Sequence, residues 1–404
     1  MRKISNSPVP EDKPWESPPK GTRTAFFVIT SLYWITLYLY VPVMSPYAEY
    51  KGGTLEMVGL VVSAYGFAQL LLRMPLGMWS DRLGRRKPFL VLGFVASVVS
   101  SIGFILSPDP WWMVVARFMA GISACAWVAF TVLFASYFSP QDTTRAMSYI
   151  SFCTRLSVMG STYVGGLLAE QYGWLAPFWA SVGVGVLGVL GVAWVYEQPR
   201  VRVPLQPPLD RIRSVVRYRE LVFASLVSAL GQYNTFATLF GFVPTYAVGL
   251  GANKAQLGTM SLLSMLANAV ATLLAGMVVA PRLGARRTVM LSYLMMAGAT
   301  AVLPWIQDMG LLYVTQTVSG FGRGMATPIL MGLAIARLPD SEKATAMGFY
   351  QAVYAIGMFS GPVAAGWIGE QWGYGVLFGS TAVVTVVTAM VALWLPGRGN
   401  AEGR

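Results

Sequence analysis

Four arginines sit inside long apolar stretches: Arg73, Arg117, Arg155 and Arg323. A guanidinium keeps its proton at any workable pH and offers five N–H donors in a planar fork. It cannot ferry a proton, but it can grip a carboxylate, phosphate or sulfate through paired hydrogen bonds. No acid stands near the middle of those stretches. Glu49, Glu56, Asp109, Glu170, Asp308 and Glu370 fall at one set of ends, and Asp81, Asp142, Glu197, Asp210, Glu220, Asp340 and Glu342 at the other. The chain has no histidine, which removes the commonest base, proton relay and imidazole ligand. Cys125 and Cys153 lie in apolar runs and read as packed, reduced thiols. No nucleophile–base pair, metal set or nucleotide loop is visible, so no catalytic residue, metal or cofactor is expected. The chemistry available is recognition of charge.

The elements that must hold these arginines are membrane helices. Of 404 residues, 55% are hydrophobic and 11% charged, against about 25% charged in an average soluble protein. Too few charges remain to cover a water-soluble particle. About twelve runs, the first near 24–48 and the last near 374–395, have the roughly 20 apolar residues a spanning helix needs. Barrel strands would be half as long and would alternate polar with apolar. Assigning both termini and alternate loops to one side gives that side twenty-three of the 29 basic residues, and the other only Lys51 and Lys254. By the positive-inside rule both termini are cytoplasmic. The net charge of +12 is then topology, and no nucleic-acid partner is expected. A polar, proline-rich tail (1–23) precedes the first run and is expected to be retained and flexible.

The polar stretch 197–219 divides the runs into six and six, giving helical bundles at 24–196 and 220–396 and a short tail at 397–404. The two sides repeat each other. Arg82-Leu83-Gly84 recurs as Arg282-Leu283-Gly284, and Glu170-Gln171-Tyr172-Gly173-Trp174 as Glu370-Gln371-Trp372-Gly373-Tyr374, both at an offset of 200. Tyr40-Val41-Pro42 resembles Phe242-Val243-Pro244. Six spans per half make the repeat parallel. The fold expected is an all-α integral membrane protein of two six-helix bundles.

The loop after the second run reads Gly77-Met78-Trp79-Ser80-Asp81-Arg82-Leu83-Gly84-Arg85-Arg86-Lys87. This resembles the G-x-x-x-D-R-x-G-R-[RK] signature of the major facilitator superfamily, and the resemblance covers nearly the whole chain. It implies a monomeric permease working by alternating access in the cell membrane. It also implies an aspartate, Asp81, near a helix N-terminus that pairs with basic residues to lock the cytoplasmic side. The second copy, Gly276 to Arg287, has Ala280 and Pro281 in place of that aspartate. Arg117-Phe118-Met119-Ala120-Gly121 lacks the glutamine found in proton-coupled members. Span 5 carries Ser161-Thr162 before Gly165 and Gly166, whereas the Gly-Pro form stands in span 11 as Gly361-Pro362. Small residues at this spacing allow close helix packing.

An intramembrane charge costs about 2.5–3.5 kcal/mol at mid-depth and marks function by default. Arg155 and Arg323, near the middle of spans 5 and 10, are expected to face a central cavity from opposite halves. Arg117 stands between a cavity role and support of the outer gate, and Arg73 is expected to reach toward the loop motif. In this superfamily spans 1, 4, 7 and 10 line the cavity, which adds Tyr33 and Trp34, Gln232 and Asn234; Tyr350 and Tyr354 share a face of span 11. The expected function is transport of a small organic solute, anionic or amphiphilic, with a coupling proton or counter-substrate as partner. The alternatives are a proton-coupled drug exporter using Asp81 or Glu220, and a non-transporting sensor on a permease fold.

Overall fold

The computed structural model describes residues 18–139, 142–197 and 213–395. The first seventeen residues of the expected tail, residues 198–212 of the linker and the tail 397–404 lie outside the described residues. Span 1 (Thr22–Tyr50) is followed by span 2 (Leu55–Leu83), span 3 (Lys87–Leu106), span 4 (Pro110–Ala135), span 5 (Thr143–Tyr172) and span 6 (Ala176–Trp194). Span 7 runs Arg219–Ala237, then a π-helical turn Thr238–Phe242, then Val243–Gly249. Span 8 (Lys254–Leu283), span 9 (Ala285–Trp305) and span 10 (Met309–Ile335) lead into one continuous helical stretch, Asp340–Val391. That stretch is broken at Gly373, where φ is +78°, and so makes spans 11 and 12.

Among the described residues, nine helices are long and apolar enough, by length and composition, to cross a membrane. The count falls short of twelve for physical reasons. The last of the nine contains two spans, while spans 5 and 7 are too polar: one carries Arg155 at mid-depth and the other Gln232 and Asn234. Polar residues of this kind are tolerated in a span only where protein or a cavity receives them. With every backbone group satisfied internally, helices are the form such a chain can take in lipid.

The repeat extends to helix caps. Asp109 accepts from the backbone N–H groups of Trp111 and Trp112 at the start of span 4, and Asp308 from Gly310 and Leu311 at the start of span 10. Those two N–H groups hold the Asp308 carboxyl below the usual carboxylate range. Thr54 caps span 2 and Asn253 caps span 8, the latter in a reciprocal capping box with Gln256. Breaks repeat as well. Span 1 kinks at Tyr40 ahead of Pro42, and span 7 loosens into its π turn ahead of Pro244, because proline has no N–H to give the preceding turn.

The halves meet along spans 2 and 11 and along spans 5 and 8. Small residues set the distance. A Cβ at Gly165 would overlap the Leu39 carbonyl of span 1, and one at Gly166 would come within 2.7 Å of Gly258 Cα in span 8. A Cβ at Gly361 would press on the Tyr233 backbone, while the Pro362 carbonyl occupies the space beside Gly59. Among the described residues, the hydrogen bonds joining the halves lie at mid-depth or toward the end where acids outnumber the two lysines, Lys51 and Lys254. Ser45 donates to the Phe240 carbonyl (2.9 Å). Glu170 accepts from Lys254 N, the first residue of span 8, and Glu370 from Leu55 N, the first of span 2, each at 2.8 Å. The two glutamates are the repeated residues of the Glu-Gln-aromatic-Gly-aromatic segments, and each crosses to the other half.

A carboxylate at a helix N-terminus gains about 0.3–1 kcal/mol from the dipole, and its charged hydrogen bond is stronger than the amide bond that would replace it. Converting both Glu170 and Glu370 to glutamine is therefore expected to loosen this end by about 1–2 kcal/mol, roughly a tenfold change in population. Distances between spin labels at the ends of spans 1 and 7 check it; an unchanged distribution in the double variant would show that the glutamates do not hold the halves together.

Candidate substrate cavity

The two mid-depth arginines of opposite halves converge on one stripe of span 8. Arg155 Nη1 donates to Asn268 Oδ1 (2.8 Å), and Arg323 Nη2 donates to Ser264 Oγ (2.9 Å). Ser264 and Asn268 are one helical turn apart and share a face. Arg155 is exposed, whereas Arg323 is partly covered and its Nη1 is buried with no hydrogen-bond partner. Beside Arg323 lies a cavity of about 10 Å³, bordered by Gln232 and Thr235 of span 7. That is room for about one water molecule.

The other two arginines form a second group, on the side of the N-terminal half. Arg117 is buried between two tyrosines, its guanidinium carbon 4.5 Å from the Tyr65 ring centre and 5.8 Å from that of Tyr40. Its Nη1 donates to the Tyr40 hydroxyl (3.3 Å). A desolvated cation over an aromatic face is stabilised by about 2 kcal/mol, which answers for a carboxylate that is not there. Arg73 departs from expectation. It does not reach the loop motif: Nη1 donates to Gln69 of its own helix and to the Tyr354 hydroxyl of span 11 (3.5 Å). Gln69 lies one turn away on the same face and captures the side chain at mid-depth, so Arg73 belongs with the cleft. Trp34 packs edge-to-face on Trp127 (5.0 Å between centroids) close by, its indole N–H buried without an acceptor.

Three expected cavity residues are elsewhere. Asn234 is fully buried inside the C-terminal half, where Nδ2 donates to Thr300 Oγ1 (3.1 Å) and Thr385 Oγ1 (2.9 Å). Tyr33 is buried among Phe94 and Phe130 and donates to the Ser123 carbonyl. Tyr350 shares a hydrogen bond with Ser228 (2.7 Å) in the packed core near Tyr293. In each case the bonds that form stay within one bundle, although Asn234 Oδ1 is buried without a partner, so these polar groups serve helix packing. The residues missed were Asn268 and Ser264, whose signal was polarity on the face of span 8 that Gly320 and Gly324 approach.

The loop motif is also differently arranged. Asp81 is in the last turn of span 2, not at a helix N-terminus, and pairs with Arg86 of its own loop (2.6 Å), which also donates to Ser80. The N-terminus of span 3 is instead taken by Glu197, whose two oxygens accept from Arg86 N and Lys87 N. Gly84, at φ +66°, ends span 2 in a left-handed conformation, and Arg82 and Arg85 are exposed. Gly77 approaches Val128 of span 4 loosely, at 3.8 Å for an added Cβ. The last residues of the expected flexible tail are tied down: Arg23 donates to the Tyr137 carbonyl (2.9 Å) and lies over the Phe138 ring. Cys125 and Cys153 are free thiols. Among the described residues no Asp, Glu or Cys cluster could hold a metal ion.

A helical membrane protein with a repeated half and a charged cleft between the halves has the form of a solute carrier. The Major Facilitator Superfamily model matches residues 26–251 and again 221–403, and the chain belongs to that family. It is 22% identical to the inner membrane transport protein YajR of Escherichia coli (strain K12) over 93% of this chain and 81% of that protein. It is also 22% identical to the multi-drug resistance efflux pump PmrA of Streptococcus pneumoniae over 88% of this chain and 91% of that one. The crystal structure of the nucleoside transporter NupG superposes with a TM-score of 0.74 at 15% identity, covering 93% of this chain and 98% of that one. The protein is thus a multi-pass membrane transporter of this family.

Because Asn234 is bonded within one bundle, Asn234→Ala is expected to lower stability by about 1–2 kcal/mol, the range for a hydrogen bond between membrane helices, and to leave ligand affinity unchanged. Thermal unfolding and a binding isotherm on the same sample separate the two effects; a change in affinity at constant stability would return Asn234 to the cavity.

Proposed function

We propose that the protein carries a small organic anion across the membrane by alternating access, its basic end in the cytoplasm. The observation that supports this most is the charge of the interior. Four arginines occupy the middle and neighbouring depths of the spans, and among the described residues no carboxylate accompanies them. Two cations on one stripe of span 8 repel each other while the cleft is empty and are relieved when an anion bridges them. Arg155 offers the fork at the open cleft, and Arg323 keeps an N–H without a partner. Gln232 borders the cavity beside Arg323 and can orient the remainder of the solute.

In this reading the bundles 24–196 and 220–396 rock about the cleft. The contacts of Glu170, Glu370 and Ser45 close the acidic end, while the ion pairs Arg86–Asp81 and Arg337–Glu220 each stay within one half. Such a pattern fits a carrier open toward the cytoplasm, with Asp81 released from any partner across the cleft. Kinship with PmrA favours a second reading, proton-coupled export of drugs. A cation exporter needs a mid-depth carboxylate that holds either proton or drug, and none stands among the described residues.

Arg155→Gln and Arg323→Gln are each expected to raise the Kd for an organic anion about tenfold or more, since a hydrogen bond to a charged group contributes roughly 1.5–3 kcal/mol. Lysine should restore affinity only in part, lacking the planar fork. Binding should weaken as salt rises. Uptake and binding assays in proteoliposomes with aliphatic and aromatic carboxylates, sulfonates and cations provide the check. If both glutamine variants bind and transport anions as the native chain does, Arg155 and Arg323 are not the anion site; if cations are carried and anions are not, the anion reading itself fails.

A further inference from the structure

The acidic end carries a second cavity, separate from the cleft. It is open to the surface, encloses about 500 Å³ and is walled by both halves. That volume lies within the roughly 300–1,000 Å³ of small-molecule sites. Glu49, Tyr50 and Trp174 stand on the side of the N-terminal half, and Thr245, Tyr246 and Tyr374 on the other. Glu49 is the one charged group among the lining residues, and it has no hydrogen-bond or ion-pair partner among the described residues.

One ring of this wall, Trp174, and one beside it, Tyr47, already hold cations. Lys254 Nζ sits 4.5 Å from the centre of Trp174, and Lys51 Nζ 5.9 Å from that of Tyr47. Both lysines thus lie against ring faces while Glu49 is left free. The tyrosines opposite are fixed by their hydroxyls. Tyr246 donates to the Ile306 carbonyl (2.9 Å) and Tyr374 to Thr245 Oγ1 (3.1 Å), with the two rings edge-to-face at 5.3 Å. Tyr50 stacks on Trp174 at 5.5 Å. At this end Glu49, Glu56, Glu170 and Glu370 outnumber Lys51 and Lys254, so the field favours a cation.

We infer that this vestibule binds an organic ammonium ion, with Glu49 as the counter-charge and Tyr50, Tyr246 and Tyr374 against its apolar body. A guest there touches both halves at once. It therefore binds the closed form of this end more tightly than an open one and shifts the population toward it. The guest is an inhibitor of the cycle, not a transported solute.

The test uses the full-length protein in detergent and in right-side-out proteoliposomes, with benzyltrimethylammonium as probe and benzoate as the ring of opposite charge. The ammonium is expected to raise the unfolding temperature at millimolar concentration and to narrow the spin-label distance between the ends of spans 1 and 7. Glu49→Gln should weaken it about tenfold or more, and the Tyr246→Leu, Tyr374→Leu double variant should weaken it likewise. Arg155→Gln should leave the ammonium affinity as it was. Equal stabilisation of Glu49→Gln and the native chain would overturn the site. A changed ammonium affinity in Arg155→Gln, above all a gain from the lost repulsion, would place the guest in the central cleft and overturn it too. Anion transport by the native chain has no bearing on either outcome, so this inference and the proposed function stand or fall separately.

Discussion

A guanidinium cannot shed its charge when it leaves water, so each one held between these helices must be answered by something the helices supply. The answers differ with position. Arg117 is answered by two aromatic faces, Arg73 by an amide and a phenol, Arg155 by an amide and the open cleft. Three are answered only in part: Arg73 and Arg117 each keep a buried Nε–H without a partner, and Arg323 a buried Nη1. Aromatic faces and amide oxygens are weaker partners than carboxylates. An arrangement built from them leaves the interior electropositive, which a carboxylate at the same depth would have cancelled.

The repeated half supplies the frame for these charges, and the frame is stapled by backbone groups as well as side chains. Helix starts are the natural attachment points because their N–H groups lack partners within the helix. Asp109 and Asp308 use this locally, whereas Glu170 and Glu370 use it across the gap between halves, and Glu197 uses it to bring the end of span 6 to the start of span 3. One carboxylate per helix start is a modest attachment. It holds the halves without welding them.

Most of the architecture was legible in the sequence because membranes restrict the choices. Runs of apolar length and the offset repeat of Glu170 and Glu370 pointed to the spans and to the repeated half. The pairing of those glutamates was not legible, since nothing local says which helix start they reach. The same limit applies to the site. Arg155 and Arg323 stood out in the sequence because a charge at mid-depth admits few explanations. Asn234, Tyr33 and Tyr350 were misplaced because an amide or a phenol is as readily satisfied by a threonine or serine of its own bundle as by a solute. Asp81 does pair with a basic residue, the neighbouring Arg86, but it stands in the last turn of span 2 and not at a helix N-terminus.

The π turn of span 7 carries a consequence for how that helix presents its residues. One extra residue per turn rotates everything beyond it by about 100° relative to an uninterrupted helix. Thr238–Phe242 thereby resets the phase between the segment that faces Arg323 through Gln232 and Thr235 and the segment that brings Thr245 and Tyr246 to the vestibule. No single helical wheel describes span 7. Its two ends address different neighbours, and a residue inserted or lost inside that turn would rotate one address while leaving the other in place.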